Sequence, residues 1–180
     1  MKLLLWVLLL LGAMRLHAQE TERVIKAETL LNASIDAAWE AWTTEAGIKT
    51  FFAPACKIEL RPNGAYEMYF NPSGAPGERG GEGNAVLALQ PKSMLAFTWN
   101  APPHLPNVRQ QRTSVVIRFK GAGNGQTKVT LVHSGWGEGE EWDKAFDYFS
   151  SAWQKIVLPR LQQRFATGPI DWNNPPVVNR

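Results

Sequence analysis

Cysteine is almost absent from this chain, since Cys56 is the only one among 180 residues. A single cysteine excludes an intramolecular disulfide and any metal site built from several thiolates. Cys56 lies close to Ile58 in a predicted strand, where a cysteine usually behaves as a small buried hydrophobic residue. We therefore interpret Cys56 as structural and weigh a reactive thiol only as the alternative.

Motifs of catalysis and metal binding are also missing. The sequence has three histidines but neither H-E-x-x-H nor G-x-S-x-G, and no histidine and aspartate at metal-ligand spacing. The glycines of Gly80-Gly-Glu-Gly83 do not precede a helix, so they do not predict a phosphate-binding loop. His104 lies among prolines and is predicted to be exposed, which leaves His133 as the one weak catalytic candidate. We expect no metal and no cofactor.

Clustered positive charge is lacking too, although the formal net charge is +3. The densest basic positions are Arg109 with Arg112 and Arg160 with Arg164, and each pair is predicted to lie on a solvated loop or helix face. Nucleic-acid binding requires a larger basic surface, so no nucleic-acid partner is expected.

The first eighteen residues have the pattern of a secretory signal peptide. Lys2 is followed by an apolar run from Leu3 to Met14 and a small residue, Ala18. This run is shorter than the ~20 residues that span a bilayer, although an uncleaved membrane anchor remains the alternative. We expect cleavage after Ala18, a periplasmic or secreted protein with no further membrane contact, and a net charge near +1 after the loss of Lys2 and Arg15.

Residues 19–166 are predicted to form one domain, followed by an extended tail, 167–180, with Trp172 held against the domain. Alternating apolar residues between turn residues predict about seven strands. Pro62-Asn63-Gly64 predicts a tight hairpin with a type I′ turn. The loop 71–83 is rich in glycine and is predicted to be a disordered hairpin tip or, alternatively, a lid. The predicted strands are 23–33, 57–61, 65–70, 84–89, 94–99, 113–119 and 127–133.

Two short helices and one long helix complete the pattern. Ser34 is a plausible N-cap for a helix over 35–42, and a second helix is predicted from Glu45 to Phe51 or Phe52. From Trp142 onward, large apolar residues recur at helical spacing, with a wider step at the end. A continuous helix over 140–165 would be ~39 Å long at 1.5 Å per residue and must pack along a broad apolar surface.

The segments Phe51-Phe-Ala-Pro54, Leu60-Arg-Pro-Asn-Gly64, Leu95-Ala-Phe-Thr-Trp99 and His133-Ser-Gly-Trp136 resemble motifs of heat-shock ATPase activator homologues. These proteins belong to the START-like (SRPBCC) superfamily, and the resemblance covers about residues 23–166. It implies an α+β helix-grip fold, in which a curved antiparallel sheet of six to seven strands wraps around the long C-terminal helix.

Such a fold can leave an apolar cavity between sheet and helix, and the chain is rich in aromatic residues, with eight Trp, eight Phe and three Tyr. These residues either fill the core or line a pocket that needs few polar groups. In the pocket interpretation His133 is the polar anchor at one end. The predicted ligand-binding residues are Phe51, Phe52, Tyr66, Met68, Trp99, His133, Phe146, Phe149 and Trp153.

Three functions follow from this interpretation. The first is a binding protein for a small apolar or amphipathic molecule, with no catalysis. The second is an enzyme of the cyclase or dehydratase type, using His133 or an acidic rim residue as general acid or base. The third is a module that binds a protein partner through its outer face, as the resemblance to the heat-shock ATPase activator family implies.

Overall fold

The computed structural model describes residues 22–176, so the predicted signal peptide, 1–18, lies outside the described residues. None of the helices in this range combines the length and the hydrophobicity needed to cross a bilayer. The strands are β1 (Ile25–Leu31), β2 (Ala55–Ile58), β3 (Tyr66–Tyr69), β4 (Gly80–Gly81), β5 (Val86–Gln90), β6 (Met94–Trp99), β7 (Thr113–Gly123) and β8 (Gln126–Ser134). The helices are α1 (Ile35–Thr43), α2 (Glu45–Ile48), α3 (Pro106–Arg109), α4 (Glu140–Ser151), a π-helical segment (Ala152–Val157) and α5 (Leu158–Thr167).

The strands form two antiparallel ladders, in the orders β1-β8-β7-β6-β5 and β2-β3-β4. Backbone hydrogen bonds join the ladders where the N–H of Val86 donates to Gly64 and the N–H of Tyr66 donates to Asn84, each at 2.9 Å. The result is one curved surface with its concave face toward the long helix, which confirms the predicted helix-grip fold. Inward residues alternate along β1 and β8, as the period of two predicted.

The helix α1 begins where the sequence predicted. The Ser34 side chain accepts a hydrogen bond from the N–H of Ala37 at 3.2 Å, which satisfies one of the unpaired N–H groups of the first turn. The second helix is shorter than predicted, because α2 ends at Ile48 and continues only as turns. Phe51 and Phe52 therefore lie in a buried turn rather than on a helix.

The hairpin before β3 also differs from the prediction. Asn63 has a left-handed φ of 60°, but Gly64 does not have a positive φ, so this is not a type I′ turn. Glycine is needed at position 64 for space, since a Cβ there would lie 2.1 Å from the backbone oxygen of Glu59.

The C-terminal helix is long, as predicted, but it is interrupted. Residues 152–157 form a π-helical segment between α4 and α5. Pro159 follows this segment and has no N–H, so it cannot make the α-helical hydrogen bond to the carbonyl four residues earlier. The wider turn of the π-helix therefore lies where the series of α-helical hydrogen bonds is already interrupted. A π-helical turn holds more residues than an α-helical turn, and this shifts Val157, Leu158 and Leu161 onto the side that faces the core. This shift accounts for the wider spacing of apolar residues in the sequence.

Candidate functional site

The centre of the sheet–helix interface is filled by aromatic side chains. Phe52, Trp99 and Trp153 surround one another with ring centroids 5.6–5.7 Å apart. Of the nine predicted ligand-binding residues, Phe146 is half-buried against Trp136, and the other eight are no more than 6% exposed. The residues predicted to surround a cavity therefore form much of the hydrophobic core.

His133 belongs to this core, on β8, and is fully buried. The indole N–H of Trp153 donates to His133 Nδ1 at 3.0 Å, so Nδ1 carries no proton. Nε2 lies 2.7 Å from the hydroxyl of Thr113, which in turn donates to the Trp99 carbonyl at 3.0 Å. Nε2 must therefore carry the proton and donate to Thr113.

This chain of hydrogen bonds holds His133 neutral. Burial lowers its pKa from 6.5 to about 3 because a charged imidazole would lose its hydration. Protonation would also place an N–H at Nδ1 directly opposite the N–H of Trp153. His133 lines neither of the clefts described below, so its place in the structure is that of a hydrogen-bonded core residue, not of a polar anchor.

Open space lies at one end of the interface, in a cleft that we call the helix cleft. It has a volume of about 230 Å³, and one wall comes from α4, the π-helical segment and α5. Phe52, Phe70 and Trp99 form the opposite wall. The residues of the helical wall are Tyr148, Phe149, Ala152, Trp153, Ile156, Val157 and Arg160.

A second depression of about 180 Å³, the loop cleft, adjoins the helix cleft. The two share Phe70, Trp99, Tyr148 and Phe149. At this shared boundary Phe70 is 48% exposed and Tyr148 is 46% exposed, although both are large aromatic residues. The loop cleft is completed by the glycine-rich loop 71–83 and by residues 100–103.

The predicted ligand-binding residues divide between the core and the helix cleft. Phe52, Trp99, Phe149 and Trp153 line the cleft, each with one side in the packed core. Phe51, Tyr66 and Met68 lie deeper, and the Tyr66 hydroxyl donates to the Trp42 carbonyl at 2.8 Å. Six residues that line the helix cleft were not predicted as site residues: Phe70, Tyr148, Ala152, Ile156, Val157 and Arg160.

The glycine-rich loop is held in place rather than being a loose hairpin tip. Arg109 reaches it from α3 and donates to the carbonyls of Gly77 at 2.7 Å and Gly80 at 2.8 Å. Its side chain is only 14% exposed and lies 3.6 Å from the Glu82 carboxylate. The prediction that Arg109 lies on a solvated face is therefore wrong.

Glu82 organises the same loop from within. Its carboxylate accepts hydrogen bonds from the N–H groups of Gly77 at 2.9 Å and Arg79 at 2.8 Å. Burial alone would raise the pKa of this carboxyl, but these hydrogen bonds and the charges of Arg79 and Arg109 outweigh it and keep the pKa low. A charged Glu82 thus gives the loop cleft a defined wall.

The single cysteine is buried, as predicted, beneath α2. Its thiol lies 3.7 Å from the backbone oxygen of Glu45. Burial, with the negative charge of Glu45, raises the pKa of Cys56 to about 11, which leaves little thiolate at neutral pH. Across residues 22–176, no three His, Cys, Asp or Glu side chains are grouped to hold a metal ion.

Comparison with known proteins agrees with this architecture. The family described as "Activator of Hsp90 ATPase homolog 1-like protein" matches residues 32–166, and the chain belongs to this family. No curated protein matches the sequence significantly.

Several solved structures share the fold. The Aha1 dimer from Colwellia psychrerythraea is 20% identical, with a TM-score of 0.63, over 81% of this chain and 98% of that one. CalU16 from Micromonospora echinospora is 19% identical, with a TM-score of 0.59, over 83% and 78% of the two chains. An HSP90 activator from Plasmodium falciparum is 10% identical, with a TM-score of 0.60, over 81% and 96%. At these identities the likeness shows the fold alone.

Proposed function

We propose that this protein binds a small apolar or amphipathic molecule in the helix cleft. The observation that carries the proposal is an apolar cleft of about 230 Å³ between the C-terminal helix and the sheet. Among residues 22–176, Arg160 is its one charged wall residue. Concave, mainly aromatic sites with few polar groups are typical of small-molecule binding.

The size of the cleft limits the ligand. Drug-sized ligands occupy pockets of about 300–1,000 Å³, whereas the helix cleft and the loop cleft measure about 230 and 180 Å³. A ligand of that size would have to extend through both clefts, passing Phe70 and Tyr148. Binding would be driven by burial of its apolar surface, worth about 25 cal/mol per Å² before the cost of association is counted.

The enzyme alternative has less support from the structure. His133 is sealed in the core and has no access to the helix cleft, and its pKa of about 3 does not suit acid–base catalysis near neutral pH. The acidic residue on the rim is Glu78, which lines the loop cleft and is exposed. A cyclase or dehydratase would have to rely on this carboxylate.

A protein partner is the second candidate. The exposed rings of Phe70 and Tyr148 form an apolar patch at the boundary of the two clefts, and such patches often mark interaction sites. One structural relative is described as an HSP90 activator, which makes a chaperone-like partner the natural first choice for a binding assay.

We also propose that the protein is exported, on the sequence pattern of residues 1–18 alone. Intact mass of the protein recovered from the periplasm or medium should correspond to a chain that starts at Gln19. A mass that includes Met1 would contradict cleavage.

The binding proposal is tested by native mass spectrometry of the freshly purified protein, followed by titration with lipids, aromatic compounds and polyketide-like compounds. Trp99 and Trp153 line the helix cleft, so their fluorescence should change on binding. Saturable binding of one class supports the proposal. A failure of every class to bind, together with binding of a protein partner that Phe70→Ser and Tyr148→Ser abolish, would favour the interaction module instead.

A further inference from the structure

Arg160 stands out among the residues of the helix cleft. It lies on α5, and the other nine lining residues are aromatic or aliphatic. Within the part of the chain that the structure describes, no carboxylate lines this cleft. Its Nε is buried and has no hydrogen-bond partner within residues 22–176. The prediction that Arg160 lies on a solvated face is therefore only partly correct, because the side chain is half-buried.

The surroundings of Arg160 compensate its charge only partly. The guanidinium lies 5.4 Å from the ring centroid of Trp172, and the Trp172 indole donates to the Lys49 carbonyl at 2.6 Å, which holds the ring in place. The face of an indole attracts a cation more weakly than a carboxylate does. Burial lowers the pKa of Arg160, and no acidic group among the described residues opposes this effect.

Arg164, one turn later, shows the difference. Its Nε donates to the Thr50 hydroxyl at 3.2 Å, and its guanidinium lies over the Phe165 ring at 4.5 Å. Arg164 thus has a hydrogen-bond acceptor in the protein and lies outside the helix cleft. The Nε of Arg160 has no such acceptor among residues 22–176, and Arg160 is the arginine that lines the cleft.

The chemistry of the guanidinium determines what would complete the site. A half-buried guanidinium whose Nε has no hydrogen-bond acceptor is unfavourable, and a carboxylate can accept two parallel hydrogen bonds from one arginine. We propose that the helix cleft selects molecules with an apolar body and a terminal carboxylate, with Arg160 binding the carboxylate and the aromatic walls binding the body. This inference rests on the proposed function and specifies its ligand class.

The adjoining loop cleft does not offer the same selectivity. Glu78 and Arg79 both line it, so charges of both signs are present. Arg79 is also engaged, since its Nε donates to the Gly74 carbonyl at 3.3 Å and lies 3.9 Å from Glu82. The apolar body would therefore point toward the loop cleft, with the carboxylate at the Arg160 end.

The test compares decanoate with 1-decanol, which share a ten-carbon chain and differ in charge at the end. Calorimetric titration at pH 7 should give a Kd for decanoate about tenfold lower than that for 1-decanol, as expected for one charge-assisted contact at a partly exposed site. In Arg160→Gln this preference should disappear, while the affinity for 1-decanol is retained. Arg160→Lys, which keeps the charge but not the planar donor pair, should retain only part of the preference.

Lys155→Gln is the matched control, because Lys155 is an exposed cation of the π-helical segment that does not line the cleft. It should keep the full preference for decanoate. An unchanged preference in Arg160→Gln, or an equal loss in Lys155→Gln, would overturn the role of Arg160 and leave the proposed function intact. No saturable binding of either compound to the wild type would instead contradict the apolar cleft itself and this inference with it.

Discussion

The indole nitrogen of Trp153 donates a hydrogen bond to Nδ1 of His133 across 3.0 Å, which ties the C-terminal helix to the last strand of the sheet. Because indole is a donor only, this contact also decides the protonation of the imidazole. The helix therefore seals His133 into the core, and the binding function that we propose is assigned to the cleft at the end of the interface.

The stability of the protein should depend on pH through His133. In the unfolded chain this group takes up a proton near pH 6.5, but in the folded protein only near pH 3, so the unfolded state binds more protons between these values. The contribution of neutral His133 to the free energy of unfolding is complete above pH 6.5 and is lost as the pH falls toward 3. At pH 4.5 the loss should be about 2–3 kcal/mol.

Denaturant titrations of the wild type and of His133→Gln at pH 7 and 4.5 measure this contribution. All other ionisable groups are the same in the two proteins, so the difference between their pH profiles isolates His133. The advantage of the wild type should shrink at the lower pH. Parallel pH profiles would show that His133 is not held neutral by burial.

Two substitutions separate packing from hydrogen bonding at Trp153. Trp153→Ala removes a fully buried ring and should lower the free energy of unfolding by about 3–5 kcal/mol. Trp153→Phe keeps most of the ring but leaves His133 Nδ1 without its donor, which should cost about 1–3 kcal/mol. A cost below about 1 kcal/mol for Trp153→Ala would mean that this helix face does not pack on the sheet.

The order of the glycine-rich loop should depend on the charge of Glu82. In Glu82→Gln, weaker bonds to the N–H groups of Gly77 and Arg79 should raise amide exchange in residues 71–83 about tenfold or more. Glu78→Gln removes the same charge from an exposed position in the same loop and should leave exchange unchanged. If both variants exchange alike, Glu82 does not organise the loop.

Cys56 should be unreactive in the folded protein. With its pKa raised to about 11, its thiolate fraction near pH 8 should be roughly 100-fold below that of a free cysteine. Reaction with a disulfide reagent such as DTNB should therefore be slow in buffer and fast in guanidinium chloride. Rapid labelling of the native protein would show that the thiol is accessible.

Much of the fold could be predicted because its signals are local. The Ser34 cap, the alternation along β8 and the limits of β6 depend on residues next to one another in the chain, and each is confirmed. The π-helical segment also left a trace, the wider apolar step near Pro159. The π-helical form of this segment could not be derived from the sequence, because the wider spacing of apolar residues does not show whether the helix bends, ends or widens there.

The site could be predicted only in part, because it depends on what lies opposite each residue. Helical periodicity placed Phe149 and Trp153 on the inner face, but it could not separate core from cleft wall. Arg109 and Arg160 looked solvated because the sequence does not reveal where a long side chain ends. Arg109 bonds to Gly77, 32 residues away in the chain, and such a pairing has no local signal.

The central claim, that the helix cleft is the ligand site, is tested most directly by filling it. Ala152 lines the cleft without belonging to the buried core, so Ala152→Phe should occupy the space with little loss of stability. Lys155→Phe adds the same ring three residues away, on the exposed face. In calorimetric titrations with 1-decanol, we expect Ala152→Phe to lose at least about tenfold in affinity while Lys155→Phe binds like the wild type. Equal affinity of Ala152→Phe and the wild type would contradict the account.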